Sequence, residues 1–297
     1  MSDLFRPAGS VTGGSDPVAL TPEAAGLSFC GLQVLALEPG ESRSLTLDGI
    51  EGALLPLAGS CRVEVGDDTF EVEGRRDVFS RVSDFVYLPM GAETVVSSAG
   101  GGEFAVPTSR AERRLDAAYV PARAVAVEVR GGGRATRQIN NFMSADAFEA
   151  DKLIAVEVLT PDGNWSSFPP HKHDEHTEVE LPLEEIYYFR IRGEDGFGLH
   201  RTYTADRAID ATVTVRDGDI FVIPRGYHGP CVAAPGHPMY YLNVMAGPVE
   251  RAWRISMDPA HEWLVGSLGE LAPDPRCPMT SSEGAMEIER SEAPWTA

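Results

Sequence analysis

Short runs of apolar and β-branched residues recur along the first hundred residues, separated by Gly, Pro and Asp. The clearest runs cover residues 32–37, 44–47, 53–57, 62–65, 69–72 and 85–88. No amphipathic helix longer than two turns stands out between them. Short strands at regular spacing are typical of a β-sandwich or a β-barrel. The pattern therefore predicts an all-β fold with few short helices.

One of these runs returns about 135 residues later. Asp84 and Asp219 each begin a string of Asp, four apolar or aromatic residues and Pro-x-Gly. In addition, Glu51 before Gly-Ala-Leu-Leu occupies the place of Glu185 before Ile-Tyr-Tyr-Phe. A repeat of about one domain length predicts two similar β-barrels in tandem.

The two predicted lobes differ in their chemistry. All seven histidines lie between His171 and His261. The first lobe, residues 1–135, therefore lacks ligands for a matching metal site, and we expect it to be structural or to form a dimer. The second lobe, residues 136–270, is expected to bind the metal.

Two segments of the chain are not predicted to form strands. Residues 137–142 and 144–150 are expected to form a linker with a short helical turn. The segment 271–297 is polar and rich in proline, so we expect it to be a mobile tail.

The second lobe contains a candidate set of metal ligands. His171 and His173 are two residues apart, so on a strand their imidazoles point to the same face. Glu185 opens a β-rich run, and His228 ends the second copy of the repeat. Three imidazoles and one carboxylate suit one divalent transition metal with open positions, and zinc, manganese and iron all remain candidates. The sequence predicts a mononuclear site at these four residues.

Composition limits the partners and the compartment. The formal net charge of −20 over 297 residues disfavours nucleic acid and anionic membrane surfaces as partners. No apolar run is long enough to span a bilayer, and the amino terminus lacks the features of a signal peptide. Four widely spaced cysteines include no Cys-x-x-Cys pair, so we expect a reduced, cytoplasmic protein.

Four strings of the second lobe carry a family resemblance: GNWSSFPPHKHD, LEEIYYFR, GDIFVIPRGYHGP and YYLNVMAGP. They resemble the 5-deoxy-glucuronate isomerases of myo-inositol degradation, which are bicupins related to 5-keto-4-deoxyuronate isomerase. The match is dense over residues 140–263 and thinner over the first lobe. It implies a tandem cupin of two β-barrel or jelly-roll lobes and a metal at His171, His173, Glu185 and His228.

The resemblance also implies an activity. The expected reaction is an aldose–ketose isomerisation of a sugar acid, from 5-deoxy-D-glucuronate to 5-dehydro-2-deoxy-D-gluconate. We further expect a homo-oligomer.

Moving the carbonyl from C1 to C2 requires a base that shuttles a proton. The candidates are a water on the metal, Tyr187, Tyr241 and His200. Tyr187 shares strand parity with Glu185, so its hydroxyl either reaches the cavity or lies in an aromatic core.

The substrate carboxylate needs a cation in a protein of negative net charge. The candidates are Arg201 and Lys172, although strand parity points Lys172 away from the metal. His200 and Arg201 must face opposite sides of a strand, and the sequence does not decide which one enters the barrel. Asn243 shares a face with Tyr241, and the pair either binds substrate or is satisfied within the core.

Two other functions use the same residues. A cupin dioxygenase could hold Fe(II) with this ligand set and activate oxygen. A sugar-acid sensor or storage-type bicupin could bind the ligand without turnover. Turnover without oxygen would distinguish the isomerase from the first alternative, and binding without turnover would favour the second.

Overall fold

The computed structural model describes residues 4–286, and strands account for nearly all of the regular structure there. The first half of the chain forms β1 (Phe5–Arg6), β2 (Val18–Leu20), β3 (Cys30–Leu37), β4 (Ser42–Thr46), β5 (Ile50–Val65), β6 (Asp68–Arg75), β7 (Phe85–Leu88), β8 (Glu93–Ser97), β9 (Gly102–Arg110) and β10 (Ala118–Val120). The second half forms β11 (Ala126–Arg130), β12 (Arg137–Met143), β13 (Ile154–Thr160), β14 (Trp165–Ser166), β15 (His171–Lys172), β16 (Glu184–Ile191), β17 (Gly198–Tyr203), β18 (Asp210–Val215), β19 (Ile220–Ile223), β20 (Tyr227–Ala233), β21 (Met239–Ala246) and β22 (Ser256–Met257).

Helical structure in the described residues is limited to three short elements. They are α1 (Pro22–Ala25), a 3-10 turn at Ala122–Ala124 and α2 (Leu264–Gly269). Within residues 4–286, no helix has the length and apolar character needed to cross a bilayer. The prediction of an all-β fold with few short helices is confirmed.

The strands form three antiparallel sheets. A nine-stranded sheet contains β2 to β10. A seven-stranded sheet has the order β1-β19-β16-β21-β13-β12-β11. A six-stranded sheet has the order β18-β17-β20-β15-β22, with β14 beside β20.

The seven-stranded sheet is buried on both faces. On one face, Ile186, Tyr188 and Leu242 share a core with Leu55 and other residues of the nine-stranded sheet. On the other face, Tyr187 belongs to a separate core enclosed by the six-stranded sheet. This sheet therefore joins the two halves of the molecule and supplies one wall of the second lobe.

The internal repeat corresponds to two equivalent strands. β7 follows Asp84 and pairs with β5, with Tyr87 opposite Ala53. β19 follows Asp219 and pairs with β16, with Phe221 opposite Tyr187. Because the two copies occupy the same place in two curled sheets, the predicted tandem arrangement of similar lobes is confirmed.

Glu51, the first-lobe counterpart of Glu185, forms hydrogen bonds with the chain that leads into β13. Its buried carboxylate accepts hydrogen bonds from the backbone N–H groups of Asp151, Lys152 and Leu153, at 2.9, 2.6 and 2.7 Å. The Tyr87 hydroxyl donates to it at 2.5 Å. Glu51 thus attaches the first lobe to the chain that enters β13.

Two predicted elements differ in the structure. The runs 53–57 and 62–65 belong to one long strand, β5, which continues through a register shift between Gly59 and Cys61. The expected linker at 137–142 is wrong, because these residues form β12 between β11 and β13. The division of the chain after residue 135 stays a prediction.

The described part of the expected mobile tail makes buried contacts. The side-chain oxygen of Gln138 accepts hydrogen bonds from the N–H groups of Met279 and Thr280, at 2.6 and 2.9 Å. Asn164 donates to Asp274 at 3.1 Å. Residues 287–297 lie outside the described part of the chain, and the mobility of the segment stays a prediction.

A buried ion pair connects the lobes. The side chains of Arg75 in β6 and Glu157 in β13 are in contact and almost completely inaccessible to solvent. Glu157 also accepts hydrogen bonds from the Tyr240 hydroxyl at 2.9 Å and the Asn140 amide at 3.0 Å. Removing one partner of a buried ion pair leaves an uncompensated charge and costs about 3–5 kcal/mol. We expect Arg75→Ala to lower the free energy of unfolding by that amount, measured with chemical denaturant.

The neighbouring Arg76 is the matched control for this experiment. Its side chain is 81% exposed and contacts only the surface residue Asp77 among the described carboxylates. We expect Arg76→Ala to change the free energy of unfolding by less than about 0.5 kcal/mol. Equal stability of the two variants would show that the buried pair contributes nothing to the junction.

Candidate metal centre and active site

The second lobe encloses a cavity of about 740 Å³, within the usual range for small-molecule sites. One wall is the face of the seven-stranded sheet that carries Tyr187 and Tyr241. The segments around Phe168 and Trp253 line it as well. The cavity reaches the predicted metal ligands, because His171 and Glu185 are also lining residues.

The three predicted histidine ligands come together at one end of this cavity. His171 of β15 lies directly opposite His228 of β20, and His173 follows β15. One ring nitrogen from each residue lies within 4.8 Å of the others. The ring centroids of His171 and His173 lie 4.4 and 4.7 Å from that of His228. The pairing of β15 with β20 thus brings the three imidazoles together.

Glu185 completes the cluster from the opposite sheet. Its Oε2 atom lies 3.1 Å from Nε2 of His173 and 3.1 Å from Nε2 of His228. All three residues are buried. Burial alone would raise the pKa of Glu185, but the two imidazoles hold it well below its usual value. The carboxylate is therefore an anion at neutral pH.

The hydrogen bonds of the imidazoles test whether this cluster fits a cation. Nδ1 of His173 donates to the Leu183 carbonyl at 2.9 Å, and Nδ1 of His228 donates to the Gly226 carbonyl at 3.0 Å. In a neutral ring the Nε2 atom then carries a lone pair. Nε2 of His228 has no aligned hydrogen-bond partner although it is buried. A buried, unpartnered imidazole nitrogen of His228 that lies 3.1 Å from the anionic Glu185 oxygen is satisfied by a cation that both atoms can bind, so the residues fit a metal.

Three hydroxyl groups lie together in the same cavity. Oγ of Ser167 is 3.3 Å from the Tyr187 hydroxyl and 3.1 Å from the Tyr241 hydroxyl. Burial raises the pKa of both phenols well above the ordinary tyrosine value. They are therefore neutral at physiological pH, and their hydroxyl groups can donate hydrogen bonds.

A glycine next to His228 permits this arrangement. Gly229 has a φ of 101°, and a Cβ atom there would lie 1.8 Å from the Ser167 carbonyl oxygen. Only glycine allows this close approach of the two backbones. Ser167 itself has a φ of 49°, so the backbone of both residues is specialised beside the cluster.

Asn243 also lies on the cavity wall, directly opposite Tyr187 in the pairing of β21 with β16. Its side-chain nitrogen is buried and has no hydrogen-bond partner in the described chain. A buried amide with free N–H groups is costly unless a ligand accepts from it. The structure thus brings Tyr187, Tyr241 and Asn243 to the cavity.

The structure does not bring His200 and Arg201 to the cavity. His200 points into the lobe, but its two ring nitrogens are 2.9 Å from Cys231 Sγ and 2.9 Å from Thr202 Oγ1. Burial lowers the pKa of His200 to about 3. The guanidinium of Arg201 lies on the outside, 4.4 Å from the centre of the Tyr203 ring.

Lys172 is also directed away from the cavity. Its ammonium group is 2.7 Å from the Asp174 carboxylate and 2.9 Å from the Glu180 carboxylate. It therefore orders the acidic loop that follows His173.

The sequence analysis missed two cavity residues. The composition of residues 137–142 predicts a linker, yet Arg137 lies on β12 and lines the cavity. Ser167 carried no signal apart from its place in the string before His171. The alternation of Arg137, Ile139 and Asn141 on one face of β12 was the available clue.

This geometry defines a class: a bicupin with three imidazoles and a carboxylate clustered in its second lobe. Comparison with known proteins then gives the family. Residues 4–264 match the KduI/IolB family, and the chain belongs to it. The family resemblance seen in the sequence is confirmed.

Curated relatives match over most of their length. The chain is 42% identical over 254 residues to 5-deoxy-glucuronate isomerase of Geobacillus thermodenitrificans, covering 84% of this chain and 91% of the relative. It is 39% identical over 270 residues to the Geobacillus kaustophilus protein of the same name, covering 90% and 97%.

Solved structures agree with the fold. An IolB-like protein from Salmonella typhimurium LT2 has 35% identity and a TM-score of 0.84, covering 89% of this chain and 100% of that one. A variant of oxalate decarboxylase from Bacillus subtilis has 13% identity and a TM-score of 0.62, covering 86% and 80%. The second likeness shows the fold alone.

Proposed function

We propose that this chain is a metal-dependent aldose–ketose isomerase that converts 5-deoxy-D-glucuronate to 5-dehydro-2-deoxy-D-gluconate. The observation that carries the proposal is the 42% identity to a 5-deoxy-glucuronate isomerase across 91% of that relative. The cavity supports it, because candidate metal ligands and neutral proton donors line the same space.

His171, His173, Glu185 and His228 would hold one divalent cation. Three nitrogens and one carboxylate oxygen suit zinc, manganese or iron, and elemental analysis decides between them. When bound, the cation would supply Lewis-acid stabilisation of the charge that develops on the C1 and C2 oxygens. Because all four residues belong to the second lobe, the cation would bind there.

The remaining residues position the sugar and hold its oxygens by hydrogen bonds. The Tyr187 hydroxyl, held by Ser167, donates a hydrogen bond to an oxygen of the reacting carbons. The Asn243 amide offers its two N–H groups to a substrate hydroxyl. Apolar side chains on the sheet face, such as Val158, exclude water from the other side of the cavity.

The test is an incubation of metal-loaded protein with 5-deoxy-glucuronate in the absence of oxygen. We expect the aldehyde signal of the substrate to disappear and the ketone product to accumulate, observed by NMR. Activity is expected to disappear after chelation and to return with a divalent metal. Turnover that requires oxygen would indicate a dioxygenase, and binding without any turnover would indicate a sensor or storage protein.

A cytoplasmic location and a homo-oligomeric state belong to the same proposal. All four cysteines are free thiols, as expected in a reducing compartment. Trp263, Val265 and Leu271 expose apolar surface that a second copy could cover. Cell fractionation and analytical sedimentation test these two statements.

A further inference from the structure

Arg137 is the cavity residue whose charge has the least compensation. Within the described residues its side chain makes one hydrogen bond, from Nη1 to the Ala135 carbonyl at 3.2 Å. No carboxylate of residues 4–286 forms an ion pair with it. A guanidinium has five N–H donors, so most of them are free to bind a ligand.

Three other arginines line the cavity, and each has an acceptor within the protein. Arg130 donates to both carboxylate oxygens of Glu128, at 2.7 and 2.8 Å. Arg251 donates to five backbone carbonyls, including those of Leu153 and Phe148 at 2.6 and 2.7 Å. Arg254 is 46% exposed and donates to the Glu250 carboxylate at 3.4 Å. These three side chains therefore have acceptors within the protein, whereas Arg137 has no carboxylate partner among residues 4–286.

The strand pairing makes the position of Arg137 costly without a ligand. Arg137 of β12 lies directly opposite Arg130 of β11, and like charges at opposed positions destabilise a sheet. Burial of its guanidinium and the nearby Arg130 charge lower the pKa of Arg137, a shift that Tyr241 and the Glu128 carboxylate oppose. An anion bound to Arg137 in the cavity would offset both the charge repulsion and the cost of burying the guanidinium.

We infer that Arg137 binds the carboxylate of the sugar-acid substrate through two parallel N–H groups of its guanidinium. A planar guanidinium matches a carboxylate with two parallel hydrogen bonds, which a lysine cannot form. The inference rests on the proposed isomerase function and deepens it by naming the residue that selects an acidic sugar. Arg201, the candidate from the sequence, lies outside the cavity.

This assignment gives the substrate a direction. β12 and β16 are three strand spacings apart, or roughly 14 Å, and the pairing through Met239 places the Arg137 backbone in line with Ile191 rather than with Glu185. The long Arg137 side chain covers part of the distance along the strands, because its guanidinium lies near Tyr241. The carboxylate at C6 would bind at the β12 side, and the C1 and C2 atoms would extend past Asn243 towards the histidine cluster. The net charge of −20 repels anions at long range, so this local cation carries the recognition.

The test compares two substrates that differ only at C6: 5-deoxy-glucuronate and 5-deoxy-glucose, in which a hydroxymethyl group replaces the carboxylate. We expect Arg137→Ala to raise the KM for 5-deoxy-glucuronate roughly 100-fold, with Arg137→Lys in between. Turnover of 5-deoxy-glucose should change by less than about threefold, because it has no carboxylate to lose. Bound metal per chain should be unchanged in both variants.

Arg134 provides a matched control on the same segment. Its side chain is 73% exposed, so Arg134→Ala should leave both substrates unaffected. An unchanged KM for 5-deoxy-glucuronate in Arg137→Ala overturns the inference, as does an equal loss with both substrates. A carboxylate-specific loss in Arg201→Ala alone would return the role to Arg201.

Binding separates failure of this inference from failure of the proposed function. If the wild-type protein isomerises 5-deoxy-glucuronate and Arg137→Ala keeps its KM, the enzyme assignment stands and the Arg137 assignment falls. If the wild type binds this sugar acid in calorimetry without turnover, and Arg137→Ala loses that binding, the Arg137 assignment stands and the isomerase assignment falls. Absence of both binding and turnover would remove both.

Discussion

Glu185→Gln is expected to remove bound metal and to reduce kcat/KM by about a thousandfold or more. The substitution keeps the size of the side chain but removes the negative charge that faces His173 and His228 at 3.1 Å. A cation held by three neutral imidazoles alone would lack its anionic ligand. Loss of Lewis-acid stabilisation is worth several kcal/mol, which corresponds to at least this change in rate.

The adjacent Glu184 gives a control with the same chemistry on the other face of β16. Its carboxylate accepts hydrogen bonds from the backbone N–H groups of Ser28 and Phe29, at 2.8 Å each. Glu184→Gln should keep its full metal content and near-normal activity. Elemental analysis and kinetics on both variants make the comparison. Stoichiometric metal in Glu185→Gln would exclude this residue as a ligand.

The metal cluster was predictable because its signals are local. His171 and His173 are two residues apart, and a strand converts that spacing into a shared face. Glu185 is the second residue of β16, as Glu51 is the second residue of β5 in the first lobe. His228 follows the Pro-x-Gly turn of the second copy. Each ligand is thus set by its own short stretch of chain.

The cavity wall was less predictable because β12 is buried on both faces. Gln138 and Asn140 face a polar network that contains Thr280 and Glu157, while Ile139 faces the core of the second lobe. Polar residues on an inward face remove the alternation by which half-buried strands are recognised. The same strand was therefore expected to be a linker, and Arg137 was not considered.

Strand parity predicted a choice between His200 and Arg201 but could not resolve it. The face of β17 that points into the lobe depends on the pairing of this strand with β18 and β20. Parity also could not show that Tyr187 and Phe221 lie in ring contact with His200. His200 therefore faces inward but is separated from the cavity by aromatic side chains, and the local sequence does not predict these contacts.

Tyr187→Phe is expected to reduce kcat by about 10²–10⁴-fold, the usual contribution of a positioned proton donor. Burial keeps the pKa of this phenol well above its ordinary value, so its hydroxyl carries a proton that it can donate. Its ring centroid lies 6.2 Å from that of His228, so the Tyr187 ring lies beside the candidate metal cluster. Phenylalanine keeps the ring and its packing but removes the proton.

Tyr241→Phe should reduce kcat by a smaller factor. Its hydroxyl contacts the same Ser167, but the residue stands one strand further from Glu185 in the sheet. Tyr188→Phe is the control, because Tyr188 lies next to Tyr187 on the face packed against the first lobe. Measurement of kcat, KM and bound metal separates the cases: a proton donor lowers kcat with metal and KM nearly unchanged. Equal kcat for Tyr187→Phe and Tyr188→Phe would assign the Tyr187 hydroxyl a structural role only.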